Sequence, residues 1–122
     1  MRLFHFTCED HGAPGIREDG VIRPSPLYVL DIGLTPRMYV AWLTDLPDPR
    51  RYQVGLTSQS LTCDRMAVRF EADVDAERWR RFARRHRDVL PGWWRRDLER
   101  FGDPWHWFVS TEPVPVALEV SP

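Results

Sequence analysis

The chain has 122 residues, 43% hydrophobic and 29% charged, with a formal net charge of −1. That length is one domain around one hydrophobic core, and the balance excludes wholesale disorder. No apolar run approaches the roughly 20 residues of a membrane-spanning helix, and Glu9 and Asp10 arrive before a signal peptide's apolar stretch can form. Cys8 and Cys63 are too few for a disulfide framework, so a soluble, cytoplasmic single domain over residues 1–122 with two free thiols is expected.

The net charge conceals a strong asymmetry. All 17 basic residues are arginine, a codon signature of GC-rich bacterial or phage DNA. Nine of them fall between Arg78 and Arg100 against three acids, a net of +6 that leaves −7 for the rest of the chain.

In chain order, Arg2 to Thr7 alternates and is aromatic-rich, which predicts an opening strand. His11 to Asp19 predicts a short helix, stopped by Gly20 where a left-handed residue is wanted. Val21 to Pro24 reads as extended, since a residue before proline is pushed out of the helical region. Pro24 to Arg37, with three prolines and Gly33, reads as loop. Met38 to Thr44 is a strand, Asp45 to Arg51 a proline-bearing turn, and Met66 to Phe70 another strand. Asp75 then looks like an N-cap. Positions 79, 82, 83 and 86 recur at helical spacing, with arginines on the remaining faces. Pro91-Gly92 breaks that helix, and Trp94, Leu98 and Phe101 mark a second one ended by Gly102-Asp103-Pro104. Trp107 to Ser110 and Val114 to Val120 are the closing strands. The expected fold class is α+β, with strands first, an arginine-rich helical hairpin late, and strands to finish.

Several side-chain groups could carry chemistry. His5, Cys8 and His11 are three apart, and Cys63 could complete a zinc set, but convergence needs a tight bend after the first strand. No metal is therefore expected, and the plain alternative is a buried cysteine beside a loop histidine. The hairpin combines Arg80, Arg81, Arg84, Arg85 and Arg87 with Trp79, Trp93, Trp94 and Trp105, the mixture of phosphate neutralisation and stacking found at nucleic-acid sites. The alternative is a solvated face, although Arg80–Arg84 and Arg81–Arg85 repel at i,i+4. Thr57, Ser58 and Gln59 form a polar stretch that could border a pocket. Walker, G-x-G-x-x-G and G-x-S-x-G motifs are all missing, which removes P-loop, Rossmann and serine-hydrolase readings.

Three strand-borne segments remain: Leu3-Phe4-His5-Phe6-Thr7, Val40-Ala41-Trp42-Leu43-Thr44 and Trp105-His106-Trp107-Phe108-Val109-Ser110. Their order resembles the ADP-ribosyltransferase superfamily, with a histidine on the first strand, an aromatic on a second, and an acid, glutamine or histidine on a late strand. The opening and the stretch Gly15 to Pro24 look most like the HYD-type toxin branch and the RNA 2′-phosphotransferases, and Val114-Pro115 is similar to a closing segment of the latter. The resemblance implies a split β-sheet with NAD in the cleft. His5 would anchor the adenosine-side ribose, and Phe6 and Thr7 would grip the nicotinamide amide. Trp42 would stack on the nicotinamide ring, with Thr44 beside it. His106, or Glu112 six residues later, would stand where the late acid steadies the oxocarbenium-like transition state. Arg50, Arg51 and Arg65 are available to phosphate.

The leading expectation is NAD-dependent ADP-ribosyl transfer, or related ADP-ribose or RNA 2′-phosphate chemistry, with the basic hairpin recruiting a nucleic-acid or protein target. Two alternatives stand beside it. One is a non-catalytic binding or inhibitory protein of the same fold, of phage origin; the other is a nucleic-acid-binding module built on the hairpin. Each strand residue also has a plainer reading as core: His5 between two phenylalanines, Trp42 on an apolar strand, and His106 between two tryptophans.

Overall fold

The computed structural model describes residues 1–28, 36–56 and 63–120. The polar stretch Thr57 to Gln59 and residues 29–35 of the predicted 24–37 loop lie outside the described residues.

Elements set by local chemistry appear where predicted. β1 is Arg2–Thr7. α1 is Gly12–Asp19 and ends on Gly20, whose φ of 72° is the left-handed cap that lets its N–H reach the Ile16 carbonyl. β2 follows at Val21–Ile22. β3 at Ser25–Tyr28 corrects the loop reading: it pairs antiparallel with β4, Pro36–Thr44, placing Ser25 opposite Val40 and Pro26 opposite Tyr39. Pro26 is tolerated because β3 is an edge strand whose described pairing is with β4 alone, and Pro36 because it is the first residue of β4. β5 is Val68–Asp73.

Asp75 does not cap a helix. The chain first makes β6, Glu77–Arg78, and α2, Trp79–Arg85, begins after it with Arg78 as N-cap. Two residues of edge pairing on β7, Trp107–Ser110, hold the backbone extended past the predicted start. α3 is Gly92–Glu99, but its expected apolar face is not a core face. Leu98 is 38% and Phe101 75% exposed, and only Trp94 packs inward, against Trp79. The single closing strand divides into β8, Val114–Pro115, and β9, Leu118–Val120, which pair with β2 and β5 respectively.

Every strand pairing among the described residues is antiparallel, giving a main sheet ordered β6-β7-β4-β1-β5-β9 with β3 alongside β4, and a small β2-β8 sheet. Alternation sends successive residues to opposite faces. Leu3, Leu43, Phe70 and Phe108 join Ile16 of α1 in one core cluster. Trp107 and Val109 join Trp79, Phe82 and Leu90 in another. The molecule is thus an α+β domain with an antiparallel sheet between two apolar layers.

The pairing of β1 is lopsided. It makes six register pairs with β5 but only one, Phe4 with Thr44, with β4. Beyond that pair the sheet opens between its two central strands.

Candidate functional site

A cavity of about 340 Å³ occupies this opening. Consecutive residues of both strands line it, Phe4 to Phe6 from β1 and Ala41 to Thr44 from β4, so it reaches the backbone of each. The rest of the wall includes β3, Gly55 and Leu56, Arg23 and Arg65, Leu98 of α3 and Trp107 of β7. Apolar walls with a few convergent polar groups and this volume are the usual form of a small-molecule site.

His5 spans the opening. Its Nδ1 lies 2.7 Å from the backbone oxygen of Trp42 and donates to it, so a side chain replaces the missing β1–β4 ladder bond. Burial pushes the His5 pKa below its ordinary 6.5; the Trp42 hydrogen bond opposes that, and the Arg65 charge adds to it. The imidazole is therefore neutral at pH 7, with Nε2 free to accept. The unfolded chain takes the proton near 6.5 and the folded chain only at lower pH. The folding stability that depends on neutral His5 is complete above pH 6.5 and lost as pH falls below it. Glu9, Asp64, Asp73 and Glu77 are all held below their ordinary values by hydrogen-bonding partners, so their contributions fade at lower pH still. Denaturant midpoints should accordingly drop on acidification just below pH 6.5 in the wild type. In His5→Asn, which keeps a donor for the Trp42 carbonyl, that step should be missing, leaving only the decline that the lowered Cys8 pKa produces down to about pH 6 and the later loss in the carboxylate range. An unchanged profile in the variant would exclude His5 as its source.

Trp42 is half-buried, between the second core cluster and the cavity. Its ring lies 4.8 Å from the Trp79 ring and edge-on to Trp107 at 5.8 Å, and it also lines the cavity. It is a fixed wall, not a mobile lid. Phe6 lines the cavity as well, and so does Thr44, whose hydroxyl accepts the Leu46 N–H at 3.2 Å. Thr7 does not line it; its side chain meets Gly12 at the start of α1, where a Cβ would collide with the Thr7 hydroxyl.

The two candidates for the late acid are placed differently. Glu112 is exposed in the turn after β7, where its N–H bonds the Ser110 hydroxyl, and it does not line the cavity. His106 does not line it either, but it immediately precedes Trp107, which pairs with Thr44. One register step further, His106 Nδ1 meets Asp45 Oδ1 at 2.7 Å. This histidine–carboxylate pair sits next in sequence to two wall residues, Thr44 and Trp107. Asp45 and Arg23 escaped the sequence reading. Arg23 comes from a stretch read only as extended chain, and Asp45 looked like an ordinary turn residue. Of the arginines considered for phosphate, Arg65 reaches the wall, while Arg51 is paired with Asp64. The described lining carries two arginines and no carboxylate.

The hairpin arginines divide by partner. Arg80, Arg81 and Arg84 line a second cavity of about 540 Å³ with Arg78, Arg95, Glu99 and Trp105. The Arg80 guanidinium lies over the Trp105 ring at 3.9 Å, and the buried Nε of Arg95 has no hydrogen-bond partner among the described residues. Arg85 instead grips Glu77 with both Nε and Nη2, at 3.2 and 2.6 Å, and is neutralised. Arg87 is exposed and lies outside this wall.

A third group has nothing to do with either cavity. Cys8, directly after β1, His11, at the N-cap of α1, and Cys63, before β5, bring one ligand atom each within 4.8 Å of one another. Burial opposes ionisation of Cys8, but hydrogen bonds from the Cys63 thiol, the Gly12 amide and His11 outweigh it and bring its pKa down to about 6. The Cys63 thiol is pushed up by its bond to Cys8. His5 is not in the group; its ring is held by Trp42.

Among known proteins, no family model, no curated protein and no solved structure matches the chain.

Proposed function

We propose that the opening between β1 and β4 binds NAD, and that the domain transfers ADP-ribose from it to an anionic acceptor held along the basic hairpin. The observation that carries this reading is topological. β7, β4 and β1, separated widely in sequence, are neighbours in the sheet, and His5 and Trp42 both line the cavity where β1 leaves β4. An ADP-ribosyltransferase-like fold would also bring its histidine strand and its aromatic strand side by side, which supports the reading. In it, His5 Nε2 accepts from a ribose hydroxyl, Trp42 offers a preset face to the nicotinamide, and Arg65 suits the pyrophosphate, beside Arg23, whose Nε is held by Asp19 at 2.8 Å. When the nicotinamide–ribose C–N bond breaks, the electron pair leaves with nicotinamide, and positive charge develops on the ribose. His106, oriented by Asp45 and next in sequence to the wall residue Trp107, is outside the lining itself, and in this reading it takes the proton of the incoming hydroxyl at the cavity's edge as the new C–O bond forms.

Tryptophan fluorescence tests this directly. Titration with NAD should give saturable quenching, lost in His5→Ala once circular dichroism shows that variant folded. Absence of any response at millimolar NAD overturns the reading.

The missing carboxylate in the described lining favours a second reading, a binding or inhibitory protein that holds the ligand without turning it over. Saturable NAD binding with no nicotinamide release, with or without added RNA or DNA, would select it.

A further inference from the structure

We infer that Cys8, His11 and Cys63 form a binding site for Zn²⁺, with three protein ligands and a fourth position open to solvent. The sequence spacing alone argued against such a site because it demanded a tight bend, and the fold supplies that bend. Cys8 follows directly on β1, its carbonyl accepts the Ala13 N–H at 3.0 Å, and this closes the turn that carries His11 back over Cys8. Cys63 arrives from a distant part of the chain, fixed by the Asp64–Ala67 turn that feeds β5.

The dimensions fit the ion. Tetrahedral zinc, with sulfur at about 2.3 Å and imidazole nitrogen at about 2.0–2.1 Å, has an S···N edge of about 3.6 Å. Cys8 Sγ and His11 Nδ1 are 3.6 Å apart, and all three ligand atoms lie within 4.8 Å. Two thiolates and a neutral imidazole balance the 2+ charge, and soft sulfur ligands select zinc over magnesium or calcium. Cys8 is buried, Cys63 half-buried and His11 exposed, so the site opens outward on its histidine side. Binding ties the β1–α1 turn to the chain entering β5, two residues from Arg65. It does not depend on what fills the β1–β4 cavity.

The test uses the full chain without an affinity tag, reduced and stripped by a chelator, then titrated with Co²⁺. The expected result is one Co²⁺ per chain, with the sulfur-to-cobalt charge-transfer band and intense visible bands of a tetrahedral thiolate site, displaced by Zn²⁺. Cys63→Ser should lose about half of the charge-transfer intensity, one of two thiolates. His11→Ala should keep that band and bind about tenfold more weakly or worse. Both side chains reach the surface, and circular dichroism verifies that the variants fold. A weak octahedral spectrum overturns the assignment, as does a spectrum unchanged in both variants. A Cys8–Cys63 disulfide that survives reductant overturns it too.

Discussion

Trp79→Ala should remove roughly 3–5 kcal/mol of folding stability, a large share of the roughly 5–15 kcal/mol that holds a domain of this size together. The side chain is 0% exposed at the first position of α2. It touches Trp42 at 4.8 Å, Phe82 at 6.1 Å and Trp94 at 6.3 Å between ring centres, so one truncation opens the second core cluster on three sides. Its Nε1 also donates to Glu99 Oε2 at 3.2 Å, a bond that ties α2 to α3. Trp79→Phe keeps most of the volume and loses the donor, for a cost of about 1–2 kcal/mol. Urea unfolding followed by far-ultraviolet circular dichroism measures both. A cost below about 1 kcal/mol for the alanine variant would mean that the cluster collapses around the gap and is not the rigid support described above.

Arg80→Ala with Arg84→Ala should weaken binding of a single-stranded oligonucleotide roughly a hundredfold at low salt, since each removes a charge-assisted contact. The slope of log affinity against log salt should shrink by about 1.4, from about 0.7 per phosphate contact on a single strand. Arg85→Ala is the internal control. It sits one residue from Arg84 on the same helix, but Glu77 already neutralises it, so its loss should change affinity little. A count of positive charge predicts equal effects from Arg84 and Arg85; the cavity predicts unequal ones. Equal effects, or binding indifferent to salt, would remove the basic cavity as a nucleic-acid surface. Strong binding here with no NAD quenching would leave the hairpin as the functional part of the molecule.

The contrast between Arg84 and Arg85 shows where sequence reading stops. Both stand on the exposed side of α2, and nothing local separates them. Their difference is set by β6, a two-residue strand that exists only because β7 offers it an edge. Fold class, the opening strand, α1 with its Gly20 stop and β7 were legible because alternation, helical spacing and turn chemistry involve neighbouring residues only. That His5 and Trp42 each stand on a strand was also legible; that both line one cavity is a matter of the sheet.

Distant pairing decided the rest. β3 forms despite Pro26 because β4 supplies an edge, and the last strand divides because β2 and β5 each claim part of it. Asp45 meets His106 through the register of β4 against β7, and Cys63 meets Cys8 across a long stretch of chain. Residues 1 to 7 specify that β1 is a strand. Only the sheet decides that it bonds fully to β5 and almost not at all to β4. Backbone hydrogen bonds are satisfied by whatever edge the whole fold presents, and that choice, invisible in local periodicity, opens the cavity.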